Sequence, residues 1–250
     1  MALLDSWTRG EHTAETLRGT RLTRPTYRKG SGPGVVVIHE VPGLTPKVIG
    51  FGEEVVAAGF TVVMPELFGD TERTPGPGAI AKAFRQVCVS AEFTKLARGQ
   101  TSPVVGWLRS LAAELHADVG GPGVGALGMC FTGGYALGMM VDDTVHAPVL
   151  CQPSVPFAVS PSRRAGLDLS PDDLARVKER AAGGCQVLGL RFEGDQMVGS
   201  RFTTLREELG DAFLAVEFPG RQHSTVTEHR QSEGVEKVLA FLDEKLRPSA

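Results

Sequence analysis

Short apolar runs alternate with longer amphipathic stretches along most of this chain, and that alternation limits the fold more than any other feature. Val35-Val36-Val37-Ile38 is an unbroken β-branched run entered through Gly32-Pro33-Gly34, as a strand covered on both faces requires. Pro46 to Ala58 reads as a helix ending before Gly59, and Phe60 to Met64 as a strand stopped by Pro65. Helical stretches at about 79–98 and 102–117 lead to a strand at Val124 to Leu127, a helix at about Thr132 to Val141 and a strand at Ala147 to Cys151. Ser170-Pro171-Asp172-Asp173 sets a capping serine, a first-turn proline and two acids before a helix to about Ala182. Strands at Gln186 to Phe192 and Phe213 to Phe218 flank a helix at about 200–209, and Gly234 to Leu246 forms the last helix. Residues 1–30 carry the turn signals of an antiparallel lead-in. The expectation is an α/β fold: a mostly parallel, doubly wound sheet with helices on both faces, in one domain over residues 1–250.

The strand at Val124 runs into Gly-Met-Cys-Phe-Thr-Gly-Gly at 128–134. This is the grammar of a nucleophile elbow, known with serine as Gly-x-Ser-x-Gly, here with a thiol in place of the hydroxyl. A helix N-terminus presents unpaired N–H groups and partial positive charge, which favour a thiolate, so Cys130 is the candidate nucleophile. An ordinary cysteine is more often a small packed hydrophobe; Gly128, Gly133 and Gly134 argue for the elbow.

Composition narrows the partners. A net charge of -3 gives no electrostatic case for nucleic acid or an anionic membrane surface, and no segment has the length and apolarity to span a bilayer. The start, Met1-Ala2-Leu3-Leu4-Asp5-Ser6, has neither a basic leader nor an apolar stretch of signal length, which predicts a cytoplasmic protein. Cys88, Cys130, Cys151 and Cys185 are widely spaced, so neither a disulfide framework nor a metal site is expected, and no cofactor is implied.

A thiol nucleophile needs a base, and the base an orienting acceptor. In doubly wound sheets both come from loops at the carboxyl ends of later strands. After Phe192 comes Glu193-Gly194-Asp195-Gln196, and after Phe218 comes Pro219-Gly220-Arg221-Gln222-His223-Ser224. Asp195 and His223 therefore follow Cys130 in the order nucleophile, acid, histidine. Asp195 alone could cap a helix and His223 alone could be a solvated loop side chain; in this order, each at a strand end, they read as a triad. His12, His116, His146 and His229 lack such a context. The loop after the first long apolar strand, His39-Glu40-Val41-Pro42-Gly43, nominates the N–H groups of Val41 and Phe131 for an oxyanion hole. Glu40 at the mouth of a buried strand needs a partner. It reads either as a rim salt bridge or as a control on the protonation of Cys130.

Together, Val-Ile-His-Glu-Val-Pro-Gly at 37–43, Gly-Met-Cys-Phe-Thr-Gly-Gly at 128–134, Glu-Gly-Asp-Gln at 193–196 and Gln-His-Ser at 222–224 resemble the dienelactone hydrolase family of the α/β-hydrolase fold, over about residue 30 to the C-terminus. The resemblance implies Cys130 as nucleophile, His223 as base and acid and Asp195 as orienter. It also implies that Glu40 pairs with the resting cysteine and gives way when substrate binds. The family's best-known members carry glycine two residues after the cysteine, where this chain has Thr132, and hold the substrate carboxylate with arginines, one of them shortly after the histidine. Here that stretch is Ser224-Thr225-Val226-Thr227-Glu228. Arg73, Arg85 or Arg221 are the substitutes on offer, with Arg73 and Arg85 taken as the substrate-binding candidates. The hydroxyls at Thr132 and at 224–227 predict a pocket for neutral or weakly polar esters and lactones rather than dienelactone.

The expected activity is cleavage of a small ester or lactone through a Cys-His-Asp triad and a thiol acyl-enzyme. Thioester cleavage or acyl transfer would use the same residues. A non-catalytic ligand-binding or redox-sensing protein is the reading from another class, but it needs no aspartate-histidine pair and lacks a resolving cysteine nearby.

Overall fold

A computed structural model describes residues 2–73, 76–89, 93, 99–158 and 160–247, with the side chains of 84 and 87–89 left aside. One eight-stranded sheet runs through it: β1 (Thr8–Glu15), β2 (Arg21–Lys29), β3 (Gly34–Ile38), β4 (Thr61–Pro65), β5 (Val124–Met129), β6 (Val145–Cys151), β7 (Val187–Phe192) and β8 (Phe213–Phe218), in the spatial order β1-β2-β4-β3-β5-β6-β7-β8. From β4 to β8 every neighbouring pair is parallel, and β2 runs antiparallel to both β1 and β4. The lead-in is thus a hairpin, Thr8 opposite Arg28 and Glu15 opposite Arg21.

The period of two in the apolar strands divides the core between two faces. Val35 and Val37 pack with Val48, Phe51 and Val55 of α1 (Pro46–Ala57) and with Val235, Val238 and Leu242 of α8 (Ser232–Leu246). Val36 and Ile38 face the other way, toward Trp107, Leu108 and Leu111 of α3 (Val104–Val119), Val177 of α6 (Pro171–Ala182) and Phe202 and Leu205 of α7 (Arg201–Leu209). All four β3 side chains are fully buried. Each contributes about 1.5–3 kcal/mol by leaving water, so a one-residue slip, which exchanges the faces, is strongly disfavoured.

Local chemistry sets the helix starts. The Thr45 hydroxyl accepts from Val48 N at 3.3 Å with Pro46 in the first turn, and Ser170 accepts from Asp173 N at 3.1 Å with Pro171 in the first turn. Two helices differ from expectation. The stretch expected to continue to residue 98 is helical over α2 (Pro77–Val89), and most of its remainder lies outside the described residues. After the elbow the chain forms a 3-10 turn over Cys130–Thr132 and then the short α4 (Tyr135–Met139). The intervening Gly133 and Gly134 are poor helix formers, and the Thr132 hydroxyl bonds back to its own turn. A further short helix, α5 (Pro161–Arg164), had no sequence signal strong enough to assign.

The chain leaves β3 toward β4 on one side and returns to β5 on the other. The crevice at the carboxyl ends of β3 and β5 is therefore the switch point where open α/β sheets bind ligands. Among the described residues, no helix is long and apolar enough to cross a membrane.

Candidate active site

Cys130 sits on the sharp turn after β5 with φ of 52°, a left-handed conformation rare for a residue with a side chain. Two of the three flanking glycines make the turn possible. A Cβ on Gly128 would lie 2.1 Å from the Thr132 carbonyl oxygen, and one on Gly133 would lie 2.6 Å from Pro153 Cα. Gly134 meets no such obstacle, since its nearest neighbour would be at 3.5 Å. The Thr132 side chain is fully buried. Its oxygen accepts from Met129 N at 3.0 Å and its hydroxyl hydrogen is directed to carbonyls at the ends of β3 and β5, Ile38 O lying at 3.1 Å. The threonine therefore ties the elbow to β3. Of the backbone N–H groups, those of Val41 and Phe131 have no hydrogen-bond partner among the described residues, the free state an oxyanion hole requires.

The loops after β7 and β8 are stitched together. Glu193 N donates to Phe218 O at 2.9 Å and Gly194 N to Gly220 O at 2.8 Å, which carries Asp195 to the histidine loop. Asp195 is buried; its Oδ1 accepts from Met197 N at 2.9 Å and its Oδ2 bonds His223 Nδ1 at 2.6 Å. Glu193, the other acid of the same loop, is exposed. The remaining imidazole nitrogen, Nε2, is buried with no regular hydrogen bond, and the group acting on it is the Cys130 thiol. Burial pushes the His223 pKa down, but the charge of Cys130 and the Asp195 hydrogen bond outweigh it and raise the imidazole to about 10.

Glu40 lies in a closed cage. The Ser224 hydroxyl donates to Oε2 at 2.9 Å, Gln152 Nε2 approaches the same oxygen at 3.4 Å, and Thr227 donates to Oε1. Burial raises its pKa while these donors and the charge of His223 hold it down. Its hydrogen bonds go to the histidine loop and to Gln152, with none to Cys130. Gln152 in turn accepts from Thr225 N at 3.1 Å and from the Thr225 hydroxyl at 2.7 Å. The hydroxyls expected to face a substrate are thus turned inward: those at 224, 225 and 227 are spent on Glu40 and Gln152, and that of Thr132 on the elbow. The cause is the buried carboxylate, which is costly without donors.

A family model for dienelactone hydrolases matches residues 19–238. The chain belongs to the dienelactone hydrolase family. Its architecture is the α/β-hydrolase fold, and membership makes it a carboxylic ester hydrolase. Among solved structures it is similar to a dienelactone hydrolase-like promiscuous phosphotriesterase from metagenomic libraries, with a TM-score of 0.64, 15% identity and coverage of 96% of this chain and 99% of that one. It is similar too to a cold-adapted esterase from an Arctic intertidal metagenomic library, with a TM-score of 0.61, 18% identity and coverage of 97% and 95%. Brefeldin A esterase, a bacterial homologue of human hormone-sensitive lipase, aligns with a TM-score of 0.57 and 15% identity over 98% of this chain and 79% of that one. No curated protein matches in sequence.

In this member of the family the elbow, the acid, the histidine, the Val41 and Phe131 amides and Glu40 gather at the carboxyl edge of the sheet, whereas the two arginine candidates do not join them. Arg73 is 75% exposed and pairs with Asp70 at 3.8 Å. Arg85 and Arg221 are exposed. Among the described residues none of the three makes a hydrogen bond or ion pair with the elbow. The flank beside the elbow is aromatic instead: Phe131 packs edge-on to Phe68 at 5.7 Å and Phe93 at 5.6 Å, and beside Phe157 at 6.1 Å.

Three contributors carried too little sequence signal. His39 is fully buried, its Nδ1 donating to Glu40 O at 3.0 Å and its Nε2 accepting from Leu67 N at 3.0 Å; burial lowers its pKa to about 4. It fixes the loop that carries Val41. Gln152 and Ser154 follow β6, the strand beside β5, and a scan of every strand end for polar side chains would have flagged both.

Proposed function

We propose that this protein hydrolyses small, uncharged carboxylic esters and lactones through a thiol acyl-enzyme on Cys130. The reading is carried by His223, with Nδ1 on the buried Asp195 at 2.6 Å and Nε2 turned to a thiol on a positive-φ elbow. The Cys130 thiolate adds to the carbonyl carbon, and the carbonyl electron pair moves onto oxygen, where the free amides of Val41 and Phe131 receive it. Collapse breaks the ester C–O bond, and the leaving alkoxide takes the proton from His223 Nε2. Water then adds to the thioester as His223 accepts its proton. The second collapse breaks the C–S bond, releasing the carboxylic acid and restoring the thiolate. Asp195 keeps the imidazole in the orientation both proton transfers need. Uncharged substrates are favoured because the flank of the elbow is aromatic and none of Arg73, Arg85 and Arg221 is fixed beside it.

Steady turnover of p-nitrophenyl acetate that disappears in Cys130→Ala supports this reading. Unchanged turnover in that variant overturns it.

A further inference from the structure

The segment after β6 packs directly on the elbow. Ser154 N donates to the Cys130 carbonyl at 3.0 Å, and Pro153 Cα is the atom that forbids a side chain at Gly133. Ser154 is 1% exposed and held between Pro153 and Pro156. Its Oγ lies 3.5 Å from the Cys130 sulfur, its side-chain partner among the described residues. A hydroxyl buried without a partner is costly, so this one is placed for the sulfur. We propose that Ser154 is a further catalytic residue, its hydroxyl donating to the Cys130 thiolate and holding the sulfur for attack. The proposal rests on the reading of Cys130 as the nucleophile.

The surroundings explain why such a donor is needed. The charged group acting on the thiol is the His223 imidazole, with Asp195 behind it; the Glu40 carboxylate acts on His223 and is caged by Ser224, Thr227 and Gln152. Arg201 is buried behind Asp195, its guanidinium bonded to backbone carbonyls including Val198 O at 2.7 Å, and His39 is buried with a depressed pKa. His223 must give up its proton during the reaction, so it cannot stabilise the anion throughout. A neutral hydroxyl can: it donates to the thiolate, adds no charge and does not compete for the travelling proton. Hydrogen bonds to an ionised acceptor are about twice as strong as neutral ones. The bond weakens when the sulfur becomes a thioester and re-forms as the thiolate leaves, so it favours expulsion of sulfur in the second half-reaction.

The test is the rate of Cys130 alkylation by iodoacetamide from about pH 5 to about pH 10, followed by mass of the Cys130 peptide. In Ser154→Ala the midpoint is expected to rise by about one pH unit, with alkylation below it about tenfold slower. The kcat for p-nitrophenyl acetate falls while KM changes little, and Ser154→Thr, which keeps the hydroxyl, returns both toward wild type. Ser154→Gly removes the hydroxyl without adding an atom and repeats the measurement if alanine disturbs the fold. A midpoint that stays put or moves down in a folded variant overturns the proposal. Ester turnover by Cys130→Ala judges the nucleophile separately; if it persists, the nucleophile reading falls and the catalytic role of Ser154 with it, while the alkylation midpoint still decides whether the Ser154 hydroxyl donates to the sulfur.

Discussion

The Ser224 hydroxyl donates to Glu40 Oε2 at 2.9 Å, joining two residues 184 positions apart. Through this bond the loop after β3, which carries Val41, is fastened to the loop after β8, which carries His223. Replacing Glu40 by alanine would strand the donors of Ser224, Thr227 and Gln152 in a dry site. Burial of the carboxylate already costs something, so the net loss expected for Glu40→Ala is about 1–3 kcal/mol, read from denaturant midpoints. Glu40→Gln, which offers one acceptor and one donor to the same hydroxyls, should lose less than about 1 kcal/mol. Wild-type stability in Glu40→Ala would show that the cage holds nothing in place.

Partners in a triad act as a unit. Cys130→Ala and His223→Ala should each remove nearly all esterase activity, and Asp195→Asn should leave a small residue through a misoriented imidazole, about 10³–10⁴-fold below wild type. Measured kcat values decide this, and full activity in Asp195→Ala would remove the aspartate from the mechanism.

His39 makes stability pH-dependent on the acid side. Its pKa is about 4 in the fold against 6.5 unfolded, so between those values the unfolded chain binds the extra proton. Its contribution is therefore intact above pH 6.5 and lost as pH falls toward 4, amounting to about 3 kcal/mol over that window. His39→Gln, which can still donate to Glu40 O and accept from Leu67 N, should flatten that part of the profile in chemical denaturation. Parallel wild-type and variant profiles would contradict it.

The thiols should separate by burial. Cys151 is fully buried and its thiol is pushed up by that burial and by the charge of Glu40, while Cys185 is half-buried and raised mainly by burial. Iodoacetamide at neutral pH should label Cys130 first, Cys185 more slowly and Cys151 after unfolding. Early labelling of Cys151 in the native protein would reassign the reactive thiol. The Cys88 side chain lies outside the described residues.

Substrate preference follows from the arginines. With Arg73 on Asp70 and Arg85 in solvent, an anionic lactone meets neither of these guanidinium forks at the thiol. Neutral esters and lactones should exceed dienelactone in kcat/KM by about tenfold or more, and Arg73→Ala and Arg85→Ala should leave KM within about twofold. Dienelactone as the best member of a panel would overturn this preference and require an arginine to reach the carboxylate.

The sequence by itself determined the layered α/β fold, because strand and helix periods, caps and glycine turns are local properties written in consecutive residues. It also singled out Cys130, Asp195 and His223, which the fold brings together, since polar groups at parallel strand ends fall in short loops whose order along the chain can be read. Tertiary structure alone decided what the polar side chains face. Thr132, Ser224, Thr225 and Thr227 looked like substrate contacts, yet they serve the elbow, Glu40 and Gln152. Ser154 carried too little sequence signal, yet its hydroxyl lies 3.5 Å from the Cys130 sulfur. A buried carboxylate or thiol recruits whichever donors the packing brings near, and those come from strand ends far apart in sequence. No local pattern encodes that choice.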